Sequence, residues 1–343
     1  MRSLRHRYDA GRGYLAACTL GLPVDTTRDA VRRDLDRWAS GTASAADYSA
    51  TLERARGHAA ALLGVVPTRV ATGSQLSVFA GLVAASAPSG AEVLCVDGDF
   101  SSVVAPFLAR GDLSVRHVPL HALADEVRAT TGIVAYSLVQ SATGDVADAA
   151  SVTRAARDAG AFTLVDTTQA TGWLPTTELD ADLIICHAYK WLSAPRGAAF
   201  AAFSDRALAE ITPHTAGWYS GADPWASCYG PELHLAPDAS RFDVSPAWHA
   251  WTGAEAALAF AVALDPTVVH GHGLGLANAF RERLGLAASD SAIVTWADAD
   301  GADLGALTAA GITASGRAGR ARVAFHLWND EEDVDLAARA LGR

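Results

Sequence analysis

A chain of 343 residues, half of them hydrophobic, has room for one large domain plus a smaller one, and its formal charge of −11 argues against binding nucleic acid by phosphate neutralisation. No apolar run is long enough to span a bilayer, and the basic start from Met1 to Tyr8 lacks the apolar core and cleavage site of a secretory signal. Cys18, Cys95, Cys186 and Cys228 lie far apart with no Cys-x-x-Cys pair, which fits reduced thiols in a cytoplasm, with neither a disulfide framework nor a zinc site.

In chain order, residues 28 to 63 carry a helical pattern that ends in Gly64-Val65-Val66-Pro67. Short apolar strands then alternate with helices. The spacing predicts strands at Glu92 to Val96, Ile133 to Val139, Phe162 to Val165, Leu183 to Cys186 and Ala198 to Phe203. Helices are predicted near Gln75 to Ser86, Ser102 to Arg110 and Ala147 to Ala159. Such alternation implies an α/β fold with a mostly parallel sheet between helices. From Ala207 to Trp251 the chain is aromatic and irregular, too long for an idle connection. An Ala-rich helix is expected from Gly253, then Gly-rich turns, then a small C-terminal α/β domain with a strand at Ala321 to Leu327 and a helix at Glu331 to Leu341. The organisation expected is an N-terminal segment 1–27 joining the small domain, a large domain 28–252 and a small domain 253–343.

Ligands of α/β sheets gather at the carboxyl ends of the strands, and polar residues cluster there. Gly73, Ser74 and Gln75 open a helix whose free amides can hold a phosphate. Asp97-Gly98-Asp99-Phe100 brings an aromatic ring to a strand end. Asp166 leaves an apolar strand as a carboxylate that needs a cationic partner. Lys190 is the only lysine among 27 basic residues. A lysine can lose its proton near neutral pH and attack a carbonyl, which an arginine cannot do. It follows Asp166 by 24 residues, about one crossover and a strand, so both can reach one sheet edge. A phosphate-bearing aldehyde with a ring nitrogen to protonate and a ring to cover would use all four features. That description is pyridoxal 5'-phosphate (PLP). His270-Gly271-His272 is read as a turn, since no carboxylate or cysteine cluster accompanies it.

With these motifs in place the chain resembles the class V aminotransferase family of fold-type I PLP enzymes, which includes kynureninases, cysteine desulfurases and isopenicillin-type epimerases. The resemblance implies that Lys190 forms the Schiff base with the cofactor, that Asp166 pairs with its ring nitrogen and that Gln169 contacts the ring hydroxyl. It further implies that Gly73, Ser74 and Gln75 cradle the phosphate, that Phe100 stacks on the ring and that Gln140 and Ser141 pass beside it. His187, Tyr189, Trp218 and Ser245 fall among its cofactor contacts, and Arg322 takes the substrate carboxylate through a bidentate fork. Segments 216–219 and 241–246 would reach the phosphate of a neighbouring subunit in a homodimer with shared sites.

Tyr14 to Pro23 and Tyr189 are similar to the kynureninase branch. The reaction implied runs through an external aldimine and a Cα carbanion of an amino-acid substrate, and the expected outcome is a lyase cleaving a Cβ bond, C–S or C–C. An aminotransferase and an epimerase or decarboxylase are the alternatives. The intact Lys190, Asp166 and Arg322 disfavour a non-catalytic relative. Cysteine desulfurases carry a nucleophilic cysteine shortly before this arginine, whereas Leu307 to Arg320 contains none, so the expectation here is an enzyme other than a classical desulfurase.

Overall fold

A computed structural model describes residues 4–10 and 12–343. Two sheets organise the chain. In order along it run α1 (Asp25–Ala39), α2 (Ala45–Leu63), β1 (Val70–Gly73), α3 (Leu76–Ser86), β2 (Glu92–Val96), α4 (Ser101–Leu108), β3 (Ser114–Val118), β4 (Thr131–Ser137) and α5 (Ala149–Ala159). There follow β5 (Phe162–Asp166), β6 (Leu183–His187), β7 (Ala199–Phe203), α6 (Asp205–Glu210), α7 (Trp248–Val262) and α8 (Pro266–Arg283). Last come β8 (Ile293–Ala297), α9 (Ala302–Ala309), β9 (Ser315–Arg317), β10 (Arg320–Ala324) and α10 (Glu331–Ala340).

The larger sheet has seven strands in the order β1-β7-β6-β5-β4-β2-β3. Strands β3, β2, β4, β5 and β6 are parallel, and β7 alone runs antiparallel between β6 and β1. The sheet is thus mostly parallel, as the sequence pattern predicts, with β7 its one reversed strand. Only the short stretch 188–198 joins it to β6, too little for the crossover a parallel neighbour needs. Alternate residues divide between two faces: Leu183 and Ile185 pack with the α3–α4 side, Ile184 and Cys186 with the α2–α7 side. Because β7 reverses, β1 points the same way as β4, β5 and β6. Gly73, Ser137, Asp166 and His187 therefore all leave the sheet at one edge.

The smaller sheet, β8-β10-β9, is antiparallel and packs against α8 and α10 through Leu276, Phe280, Val323 and Val334. Predicted helical residues 28–63 form two helices, because Gly41 adopts φ 72° and Ser44 caps α2 by accepting from the Asp47 N–H. Where Gly-rich turns were expected after the Ala-rich helix, with a turn at His270-Gly271-His272, the chain instead forms helix α8. Asp265 caps it, Pro266 opens it, and Gly273 lies where an added Cβ would sit 3.3 Å from the Phe325 carbonyl. His270 stacks on Trp173, and no metal-binding group is found among the described residues. No single helix there is long and apolar enough to cross a membrane.

Candidate active site

The shared strand edge collects the predicted residues. Asp166 ends β5 and is 3% exposed; its Oδ1 accepts from the Thr168 N–H at 2.9 Å, and Ser137 Oγ lies 3.5 Å from its Oδ2. Burial raises its pKa to about 6 against these hydrogen bonds. Lys190 lies three residues past β6 and is 6% exposed. Its amine has no hydrogen-bond or ion-pair partner among the described residues, and burial lowers its pKa to about 8, opposed by the charge on Asp166. Nζ stands 5.4 Å from the ring centre of Phe100 and 5.7 Å from that of Tyr189. Phe100 is half-exposed at the start of α4, so its ring is free to cover a ligand.

His187 is buried edge-on against Tyr189, with ring centres 4.4 Å apart, and its Nε2 has no partner. Burial lowers its pKa to about 4, so the ring is neutral at pH 7. Gly73 is packed so tightly on Phe79 that a Cβ would meet the ring at 2.9 Å, and Ser74 and Gln75 are exposed ahead of α3. Asp243 accepts from the Thr72 N–H at 2.7 Å, and the Val244 N–H reaches the Thr72 carbonyl. The 243–245 segment thus lies beside the exit of β1, with Ser245 exposed. Arg56, on α2, holds Asp243 through a buried 2.6 Å ion pair.

Arg322 is 2% exposed and comes from β10. It donates to Ser141 O, to Thr19 Oγ1 at 2.9 Å and to Ser315 Oγ at 3.1 Å, with no carboxylate in ion-pair range among the described residues. A buried guanidinium held only by neutral oxygens retains its charge for an incoming anion.

Three predicted residues have partners within the chain. Gln169 donates to Cys18 O at 2.9 Å and accepts from Trp191 Nε1 at 2.8 Å, so both ends of its amide are taken. Gln140 donates to Asp99 Oδ2 and to Ser137 O. Trp218 packs on Tyr219 and Trp225 at the edge of the α2–α7 core. Asp99 was missed as an anchor: it accepts from Ser137 N–H, Ser137 Oγ, Gln140 Nε2 and Phe100 N–H, and so ties β2 to β4 beneath the site. The signal available was a second aspartate just past a strand end. Thr168, whose Oγ1 accepts from the His187 N–H at 3.0 Å, and Thr19 were missed as well.

At the carboxyl edge of the mostly parallel sheet stand an unpaired buried amine, a buried carboxylate and a half-exposed ring, faced from β10 by a buried arginine without an ion-pair partner among the described residues. The aminotransferase class-V family profile matches residues 39–300, and the chain belongs to that PLP-dependent family. The chain is 33% identical over 219 residues to kynureninase of Deinococcus radiodurans, covering 60% of this chain and 52% of that one. It is 30% identical over 218 residues to isopenicillin N epimerase of Streptomyces clavuligerus, covering 57% and 51%. The chain thus matches about half the length of these curated relatives.

Among solved structures it superposes on a C-DES mutant with glycine covalently linked to the PLP cofactor, at TM-score 0.87 and 21% identity over 98% of both chains. It also superposes on the cystine C-S lyase C-DES with its product cysteine persulfide, at TM-score 0.87 and 20% identity over 97% of this chain and 98% of that one. The cysteine desulfurase CsdA of Escherichia coli follows at TM-score 0.85 and 19% identity, covering 99% and 96%.

These structures overturn the expected exclusion of a cysteine desulfurase, since C-S lyases and desulfurases share this fold across nearly the whole chain. The exclusion rested on one missing side chain between Leu307 and Arg320, a stretch that the shared fold spans.

PLP fits the residues present. The Lys190 amine and His187 Nε2 have no partner and the buried Asp166 carboxylate has hydrogen bonds but no ion pair, and an aldehyde, a phosphate and a pyridinium nitrogen would supply what each lacks.

Proposed function

We propose that this protein is a PLP-dependent lyase that cleaves a bond at Cβ of an amino-acid substrate, C–S or C–C. The observation that carries the reading is Lys190: a lone buried amine with a pKa near 8, facing a buried Asp166, with Arg322 unpaired nearby. The sequence likeness to kynureninase, and the fold shared with the cystine C-S lyase, support the choice of a lyase within the family. Bound PLP withdraws electrons from the substrate's Cα, so that a group on Cβ can leave.

The chain's residues divide the remaining work. Lys190 exchanges its proton near neutral pH and moves the Cα proton. Asp166 keeps the ring nitrogen protonated, and Phe100 covers the ring. Ser74 with the amides of Gly73 and Gln75, joined by His187, Tyr189 and Ser245, holds the phosphate. Ser141 and Thr19 aim Arg322 at the α-carboxylate. Gln169 braces the lysine loop against the N-terminal segment instead of touching the ring. Segments 216–219 and 241–246, with Trp218, reach a second subunit in a homodimer. The working division of the chain is 1–27 with 253–343 as the small unit and 28–252 as the large, in a cytoplasmic protein.

The test uses PLP-loaded protein. Borohydride should fix the cofactor onto Lys190. With a panel of amino acids, sulfide or an aromatic acid should be released while the cofactor keeps its aldehyde form. Stoichiometric conversion to the pyridoxamine form marks an aminotransferase instead, and change of configuration alone marks an epimerase; either outcome ends the lyase reading.

A further inference from the structure

The β9–β10 hairpin carries more charge over the site than Arg322 alone. Ser315 pairs with Arg322 and Arg317 with Arg320, and side chains directly opposite each other in an antiparallel pair share one face. Ser315 Oγ accepts from Arg322 Nε, which identifies that face as the one turned to the site. Arg320 is spent on Thr295, to whose Oγ1 and carbonyl it donates. Arg317 is not spent: it is exposed, donates only to its neighbour's carbonyl at Gly316, and has no carboxylate in ion-pair range among the described residues.

The hairpin tip is a two-residue turn with Ala318 at φ 50° and Gly319 at φ 72°. It reaches across to the large sheet, where Ala318 shares a cleft with Gln140, Ala142 and Thr143. Thr295 Oγ1 donates to Thr143 O and Arg322 to Ser141 O, so the hairpin is docked there rather than hanging free. Burial lowers the pKa of Lys190 and raises that of Tyr189, and from its position on the hairpin the charge of Arg317 reaches both groups as a minor addition.

We propose that Arg317 binds a second carboxylate, at the far end of the substrate side chain, so that the substrates are amino acids with an anionic side-chain terminus. This rests on the reading of the site as one for an amino acid held at Arg322. The α-carboxylate neutralises the buried arginine, and the mouth then still presents an unpaired guanidinium in a chain whose net charge is −11. An anionic side chain satisfies it by a charge-assisted hydrogen bond, whereas a neutral one leaves it to water. A side chain that leaves from Cβ carries this carboxylate away with it, so Arg317 would hold substrate and leaving group in the same way.

The experiment compares S-carboxymethyl-L-cysteine with its amide, S-carbamoylmethyl-L-cysteine, on PLP-loaded protein. Cα-proton exchange in deuterated water is followed, because it reads the first chemical step whatever bond breaks afterwards. The acid should show a KM lower by about 10- to 100-fold, the range for a hydrogen bond to a charged group. Arg317→Gln should erase that preference through KM, and Arg317→Lys should restore part of it. An acid-to-amide ratio unchanged in Arg317→Gln overturns the inference. If neither compound exchanges its proton, the amino-acid reading itself fails. Calorimetric binding of the two compounds then decides the role of Arg317 alone: tighter binding of the acid, lost in Arg317→Gln, keeps it, and equal binding overturns it.

Discussion

At Asp166 two demands oppose each other. The site needs a charged carboxylate, yet the residue is buried, and burial raises its pKa from the ordinary carboxylate value to about 6. A carboxyl whose pKa is higher in the folded state binds protons more readily there, so the cofactor-free protein loses stability as pH rises from about 4 to 6 and regains none above it. A shift of roughly two pK units corresponds to about 3 kcal/mol. Asp166→Asn keeps the oxygen that accepts from Thr168 and removes the charge. Thermal unfolding of the cofactor-free proteins should therefore show the variant more stable by up to about 3 kcal/mol above pH 6, with the gap closing near pH 4; a gap independent of pH would mean that the charge is not the cause. The loaded variant should lose Cα-proton exchange. Asp166 was legible in the sequence as a carboxylate leaving an apolar strand, and Lys190 as a lone lysine among arginines. Asp99 was not, because its task depends on β2 and β4 lying side by side. Nor was the commitment of Gln169, whose partner Cys18 is 151 residues away.

Among the elements, the loop after β6 is fixed by contacts that reach it from the N-terminal segment. Gly21 N–H donates to Tyr189 O at 2.9 Å, and a Cβ on Gly21 would lie 1.9 Å from the Lys190 carbonyl oxygen. Since backbone cannot yield as a flexible side chain does, Gly21→Ala should displace the lysine loop. We expect PLP affinity to fall at least about tenfold by spectroscopic titration, with about 1–3 kcal/mol of stability lost in urea unfolding, the usual cost of overpacking. The strands β2, β4, β5 and β6 were readable because buried parallel strands are continuous apolar runs. β1 escaped because it has only four residues, and β3 because an edge strand with the burial pattern of Ser114 to Val118 is not continuously apolar. Helix α8 was hidden by its glycines, of which Gly273 alone serves a close approach, to the Phe325 carbonyl.

For the whole molecule, residues 14–21 act as a splice. Tyr14 bridges to Thr313, Ala16 to Ala324, Gln169 reaches Cys18 O, and Arg322 reaches Thr19. Farther back, Arg5 and Arg12 pair with Asp330 and Asp333 on and before α10. A protein starting at Val24 should lose at least about 3 kcal/mol, the value of one buried leucine such as Leu15, in denaturant unfolding. Hydrogen exchange should show residues 313–324 losing protection first; unchanged protection there would contradict the role given to the splice.

This splice also sets an order in time. Chains emerge from the ribosome N-terminus first, and domains fold as they appear. Lys190 precedes Thr313 and Ala324 in the chain, and those two residues receive Tyr14 and Ala16 of the segment that also carries Gly21 and Cys18. A chain made only as far as Lys190 therefore has that amine but not yet Thr313, Arg322 and Ala324, to which the N-terminal segment is joined.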